Sequence, residues 1–107
     1  MYEVRHAHTD NDVDLYQCWL DSLRDARAKA RITTRVERAA LGNFGDHASV
    51  GDAVFELRID YGPGYRVYYV ISGTEILLLL GGGTKDRQQK DIDHAIDVWK
   101  ALKGVGR

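Results

Sequence analysis

Phe55-Glu56-Leu57-Arg58-Ile59-Asp60-Tyr61-Gly62-Pro63-Gly64-Tyr65-Arg66-Val67-Tyr68-Tyr69 reads as two strands and the turn between them. Phe55, Leu57 and Ile59 alternate with Glu56 and Arg58, and Tyr65, Val67 and Tyr69 alternate with Arg66 and Tyr68. That is the period of strands with one buried face. Tyr61-Gly62-Pro63-Gly64 carries turn chemistry, so the segment is a β-hairpin. A slip of one residue would turn one apolar face outward, which makes the register specific. Ile59 then meets Tyr65, Leu57 meets Val67, Glu56 lies opposite Tyr68 and Arg58 lies opposite Arg66. Two like charges side by side on a sheet repel. Two readings of the pair are open: an anion binds between the guanidinium groups, or they are ordinary surface arginines, solvated or paired with Glu56.

Outward from the hairpin, Tyr2 to His6 alternates as a short strand. Thr9 or Asp10 is positioned to cap a helix carrying Val13, Tyr16, Leu20 and Leu23, and Ser22-x-x-Asp25 reads as a capping-box variant opening a second helix over about 23–41. At ~100° per residue, Arg24, Arg27, Arg31, Arg35 and Arg38 of that second helix share one stripe, opposite Ile32, Val36, Ala39 and Ala40. The stripe is a phosphate-docking surface or a solvated outer face. With no Gly or Pro between them, the two helices read as an αα-hairpin.

Residues 42–52 read as a loop. Glu75 to Leu80 is apolar on both faces, as in a central strand covered on two sides. Gly81-Gly82-Gly83 then reads as a turn offering backbone N–H groups to a phosphate, without the spacing of a Walker A loop. A last helix over about 85–103 aligns Ile92, Ala95, Ile96, Trp99 and Leu102, with Gly104 as its stop. Lys85 opposes the macrodipole there, so something other than helix stability places it. The expected fold is α+β, ordered β-α-α-β-β-β-α, with an antiparallel sheet packed against an N-terminal helical hairpin and a C-terminal helix.

The 107 residues fit a single domain, 1–107. With 15 basic and 16 acidic residues the net charge is −1, which excludes a uniform polycation but not a focused patch. Residues 24–38 hold six bases and two acids, whereas 1–23 hold one base and five acids. No apolar run approaches the roughly 20 residues of a membrane span, and the start lacks the pattern of a secretory signal. The lone Cys18 fits a reducing compartment, so a cytoplasmic location is expected. His6, His8, His47 and His94 lack metal-ligand spacing, so neither a metal nor another cofactor is expected, and only His47 is a candidate acid or base.

The hairpin string closely resembles the HigB-type branch of the RelE/ParE toxin superfamily, the addiction-module killer proteins. So does Leu80-Gly81-Gly82-Gly83-Thr84-Lys85 with the following Gln88, Asp91, Ile92 and Ala95. Arg31-Ile32-x-x-Arg35 and Gly42-Asn43-x-Gly45-Asp46 add to the resemblance, which covers about residues 32–101. It implies a RelE-like fold and the toxin half of a type II toxin–antitoxin pair, restrained by an antitoxin with a helix-turn-helix domain. It also implies ribosome-dependent, metal-independent endonucleolytic cleavage of mRNA. By position, Arg58, Arg66 and Lys85 would contact the scissile phosphate, with Tyr68 beside them and Gln88 one turn along the last helix. Tyr68, Lys85 or His47 would be the base. Arg24, Arg27, Arg31, Arg35 and Arg38 would dock ribosomal RNA. Two alternatives stand beside this one: a ParE-like toxin acting on DNA gyrase, and an inactive relic that only binds its antitoxin.

Overall fold

The alternation of the hairpin sorts its side chains onto the two faces of a five-stranded sheet, in a computed structural model that describes residues 1–105. The strands are β1 (Glu3–His6), β2 (His47–Gly51), β3 (Val54–Ile59), β4 (Tyr65–Ser72) and β5 (Ile76–Thr84), in the spatial order β1-β5-β4-β3-β2. All neighbours are antiparallel except β1 and β5, which run parallel. The β3–β4 register is the expected one: Ile59 pairs with Tyr65, Leu57 with Val67, Arg58 with Arg66 and Glu56 with Tyr68. On one face Leu57, Ile59, Val67, Tyr69, Leu77 and Leu79 pack under α1 (Leu15–Ser22) and α2 (Ala26–Ala40), which contribute Tyr16, Ala28, Ile32, Val36 and Ala39. The opposite face holds Val54, Tyr68, Val70 and Leu80 against Ile92, Ala95, Ile96 and Trp99 of α3 (Gln88–Val105). No helix of the described residues is long and apolar enough to cross a membrane.

The expected order therefore stands with one strand added. β2 lies where a loop was expected, and its hairpin to β3 turns through Asp52 and Ala53, both at positive φ (53° and 69°). A turn with two left-handed residues usually announces itself by Asn-Gly or Asp-Gly, and Asp-Ala does not. The N-terminal helices also start later than their sequence caps imply. Asp12, at φ 61°, interrupts the first, so Asp14 is the N-cap and accepts from Gln17 N at 3.0 Å. Leu23 is extended, and Asp25 itself caps α2 through Arg27 N and Ala28 N (2.9 and 3.2 Å). At the other end α3 continues through Gly104 to Val105, so that glycine is not its stop. Residues 106 and 107 lie outside the described part.

The largest departure concerns the glycines. Gly81, Gly82 and Gly83 are not a turn but the second half of β5, paired with Tyr68, Val67 and Arg66. On the β4 side their backbone is committed to a ladder, and it does not form a phosphate loop at a helix N-terminus. A 3-10 turn over Lys85–Arg87 intervenes before α3. What the glycines supply is close approach: a methyl on Gly82 would collide with the Trp19 indole, and one on Gly83 with the Asp91 carboxylate. Gly82→Ala should cost about 1–3 kcal/mol, the range for an overpacked core. Gly83→Ala should cost less, because the Asp91 side chain can swing away. Urea unfolding of both variants measures the difference.

Candidate functional site

Glu56, Arg58, Arg66 and Tyr68 lie on the α3 face because they occupy the even positions of β3 and β4. Glu56 is the buried member, 1% exposed, and its carboxylate organises the rest. Arg58 Nε donates to Glu56 Oε2 at 2.8 Å, Arg66 Nε lies 3.8 Å from the same oxygen, and Gln88 Nε2 donates to both carboxylate oxygens at 2.8 and 3.1 Å. Gln88 reaches it from the first residue of α3, so the helix is tied to the sheet through this one acid. The Glu56 carboxylate in turn holds the Arg58 guanidinium above the usual arginine range, chiefly by the hydrogen bond and then by its charge. The anion between the two arginines is thus the protein's own.

Arg66 keeps capacity to spare. Its Nη1 donates to the Tyr65 carbonyl at 3.2 Å, while its buried Nε makes no hydrogen bond. Lys85 stands alongside. Its backbone N donates to Gly64 O at 2.9 Å, and a side chain on Gly64 would begin 3.3 Å from Lys85 Cβ and 3.9 Å from Arg66 Nη1. The missing side chain leaves the exposed Lys85 and the largely buried Arg66 as neighbours at the start of β4. Arg58, Arg66, Tyr68 and Gln88 thus surround Glu56, and Lys85 stands at the Arg66 end of the group.

Two of the candidate bases do not suit that role. Tyr68 is 1% exposed, and burial, then the Glu56 and Asp91 charges, push its phenol up against the opposing pull of Arg66. The pull of Arg66 is outweighed, first by burial and then by the two acids. His47 pairs with Leu57 across β2 and β3 and leans on Phe44, which puts it on the other face of the sheet from Arg58. Lys85 is left, exposed and next to Arg66. Gln88 is held by Glu56 and is not a free RNA contact.

The arginine stripe divides. Arg27, Arg31, Arg35 and Arg38 line an open groove of about 600 Å³ between α2 and the end of β3, with Ile59 and Asp60 opposite. Arg24 precedes the Asp25 cap and lies off the helix. Arg35 is structural: Nη1 donates to the Arg58 carbonyl at 2.5 Å, and Nη2 to those of Phe44 and Asp46 at 2.9 and 3.1 Å. Arg31 sits 4.6 Å over the Tyr61 ring. The same Arg35 bonds connect the groove on one face of the sheet to the backbone of Arg58 on the other.

Glu56 and Asp91 are the site residues that sequence reasoning passed over. Glu56 was legible only as a possible partner of one arginine. For Asp91 the signal was Gly83, whose bare Cα admits its carboxylate. Among the described residues, no group of three or more His, Cys, Asp and Glu side chains is placed to hold a metal ion.

Two measurements test this anatomy. Glu56→Gln should destabilise by about 2–4 kcal/mol, since it removes the charge that compensates two arginines. Sulfate should then raise the melting temperature of the variant more than that of the parent, by pairing with the exposed side of the Arg58 guanidinium that no longer has a carboxylate beside it. Arg35→Ala should cost about 2–3 kcal/mol by orphaning the Arg58 and Phe44 carbonyls, while that of Asp46 keeps the Arg58 N–H, whereas Arg27→Ala should stay within about 0.5 kcal/mol. Equal effects of the two would remove the distinction between clamp and groove.

Over 80 residues the chain is 50% identical to an uncharacterized protein of Haemophilus influenzae (strain ATCC 51907 / DSM 11121 / KW20 / Rd), a match spanning 75% of this chain and 81% of that protein. No protein-family model matches the chain.

Proposed function

The chain belongs to one family with that Haemophilus influenzae protein, and we propose that it is the toxin of a type II toxin–antitoxin pair, cutting mRNA on the ribosome. The observation that carries this reading is Arg58 beside Arg66 across a strand pair, with exposed Lys85 next to Arg66. In metal-free RNA cleavage the 2′-OH attacks the adjacent phosphorus, giving a 2′,3′-cyclic phosphate and a 5′-OH. The protein must then stabilise added negative charge on the phosphate and move one proton from the nucleophile and one to the leaving oxygen.

Arg58 and Arg66 meet the first need. Glu56 and Gln88 hold Arg58 and the sheet–helix junction in place before RNA arrives, so little reorganisation remains for the reacting state. Lys85 is the proton-transfer group exposed to RNA, and Tyr68 packs the wall behind it. The groove of Arg27, Arg31 and Arg38 supplies phosphate contacts for ribosomal RNA, within the cytoplasm where ribosomes and mRNA are found. A helix-turn-helix antitoxin is the inhibitory partner that the resemblance implies. With basic segments set against an acidic N-terminal one, ribosome binding weakens steeply with salt.

Expression from a tightly controlled promoter should stop growth and produce codon-positioned breaks in mRNA by primer extension. Arg58→Ala and Arg66→Ala should each lower cleavage by about 10²–10³, the loss seen when one donor to a developing oxyanion is removed. Variants as toxic as the parent sink the proposed site. DNA damage with intact mRNA would move the target to gyrase, and a folded protein without any growth effect would leave antitoxin binding alone.

A further inference from the structure

β1 pairs with Ile76–Leu79, and its last contact with the sheet is Ala7 N donating to Leu79 O at 2.8 Å. From Leu80 to Thr84, β5 therefore has β4 on one side and no strand on the other. In an antiparallel ladder alternate residues turn both N–H and C=O away from the partner strand, so this edge presents unpaired backbone donors and acceptors. Among the described residues, no turn or loop backbone group bonds to Gly81, Gly82 or Gly83 from that side.

A cavity of about 180 Å³ opens on this edge, between Leu15 and Trp19 of α1 and Asp91 and His94 of α3, with Tyr68 of β4 in its wall. It is too small for a drug-sized ligand, whose sites run to roughly 300–1,000 Å³, and much larger than the roughly 30 Å³ that one water occupies. The Tyr68 hydroxyl is 99% buried by residue, lines this cavity and has no hydrogen-bond partner. A buried unpaired hydroxyl is uncommon and marks a place where a partner is missing. Asp91 is a second polar group: burial pushes its carboxyl up against the pull of Arg87 and His94, and its oxygens offer acceptors to the cavity. No Arg or Lys lines the cavity, so it does not suit a phosphate. An aromatic wall with donors and acceptors in one cavity of this size suits a planar heterocycle.

We infer that this cavity is a base-recognition pocket, which takes one unstacked base of single-stranded RNA against Trp19 and reads its edge with Tyr68, Asp91 and the backbone of Gly81 and Gly82. The inference rests on the ribonuclease reading for its ligand, and the position of the pocket fits it. Tyr68 is two residues from Arg66 on the same face, about 7 Å along a strand, and Gly83 is the β5 partner of Arg66. A nucleotide whose phosphate meets Arg58 and Arg66 has its base within reach of the pocket.

The test reads binding and not cleavage. In the full chain carrying Trp99→Phe, Trp19 is the only indole, and its fluorescence is titrated with the four nucleoside 3′-monophosphates and with ribose 5-phosphate. One base should bind at least fivefold more tightly than the base-free sugar phosphate. Tyr68→Phe and Asp91→Asn, each checked for an intact thermal transition, should reduce that preference below twofold. Arg66→Ala should weaken all five ligands alike and keep the ratio. Equal affinity of the parent for base-bearing and base-free ligands, or a preference that survives both pocket variants, overturns the inference. A base preference without mRNA breaks would reject the nuclease and keep the pocket, and mRNA breaks without a base preference would do the reverse.

Discussion

Two guanidinium groups meet across β3 and β4 because the hairpin can bury its apolar face in only one register. Left alone they would repel and weaken the strand pair on which the sheet is centred. The Glu56 carboxylate removes that penalty from the buried side, and Gln88 extends the same contact into α3. Hairpin register, arginine placement and the docking of the last helix are therefore one electrostatic arrangement with a single acid at its centre. Because Arg58 stays 39% exposed at its side chain while Glu56 is sealed, the arrangement turns its cationic side outward.

The glycine run serves the same centre by another route. A strand with side chains at 82 and 83 could not lie under Trp19 and Asp91 at once. By giving up side chains there, β5 keeps its ladder with β4 while α1 and α3 close in on opposite faces. That closeness leaves a small cavity where β1 stops, while the bare Gly64 lets Lys85 stand beside Arg66. The charge pattern follows the same division of labour: Arg35 ties α2 to the backbone around Arg58, and Arg27, Arg31 and Arg38 remain for the groove.

Much of this was legible in the order of residues. Strict alternation in 55–59 and 65–69 defined both strands and their pairing, and the two-sided apolar run of β5 marked a central strand. The helical stripes of α2 and α3 were visible because a 3.6-residue period leaves a strong mark on an amphipathic helix. Less was legible where the signal was backbone geometry without its usual residue. Asp52-Ala53 turns like an Asn-Gly hairpin with no glycine, so β2 looked like loop. Gly81–Gly83 has turn composition but strand geometry, since the demand for close packing comes from Trp19 and Asp91, far away in sequence.

By itself, then, the sequence determined the fold class, the β3–β4 register and the convergence of Arg58 and Arg66, because these follow from local period and the cost of exposing an apolar face. Only the tertiary structure decided what those arginines do in the resting protein. That depends on burial: Glu56 is an exposed-looking acid in the chain and a sealed one in the fold, Tyr68 loses its access to solvent, and Arg35 becomes a clamp. Desolvation and hydrogen-bond partners come from elements distant in sequence, and no local pattern carries them.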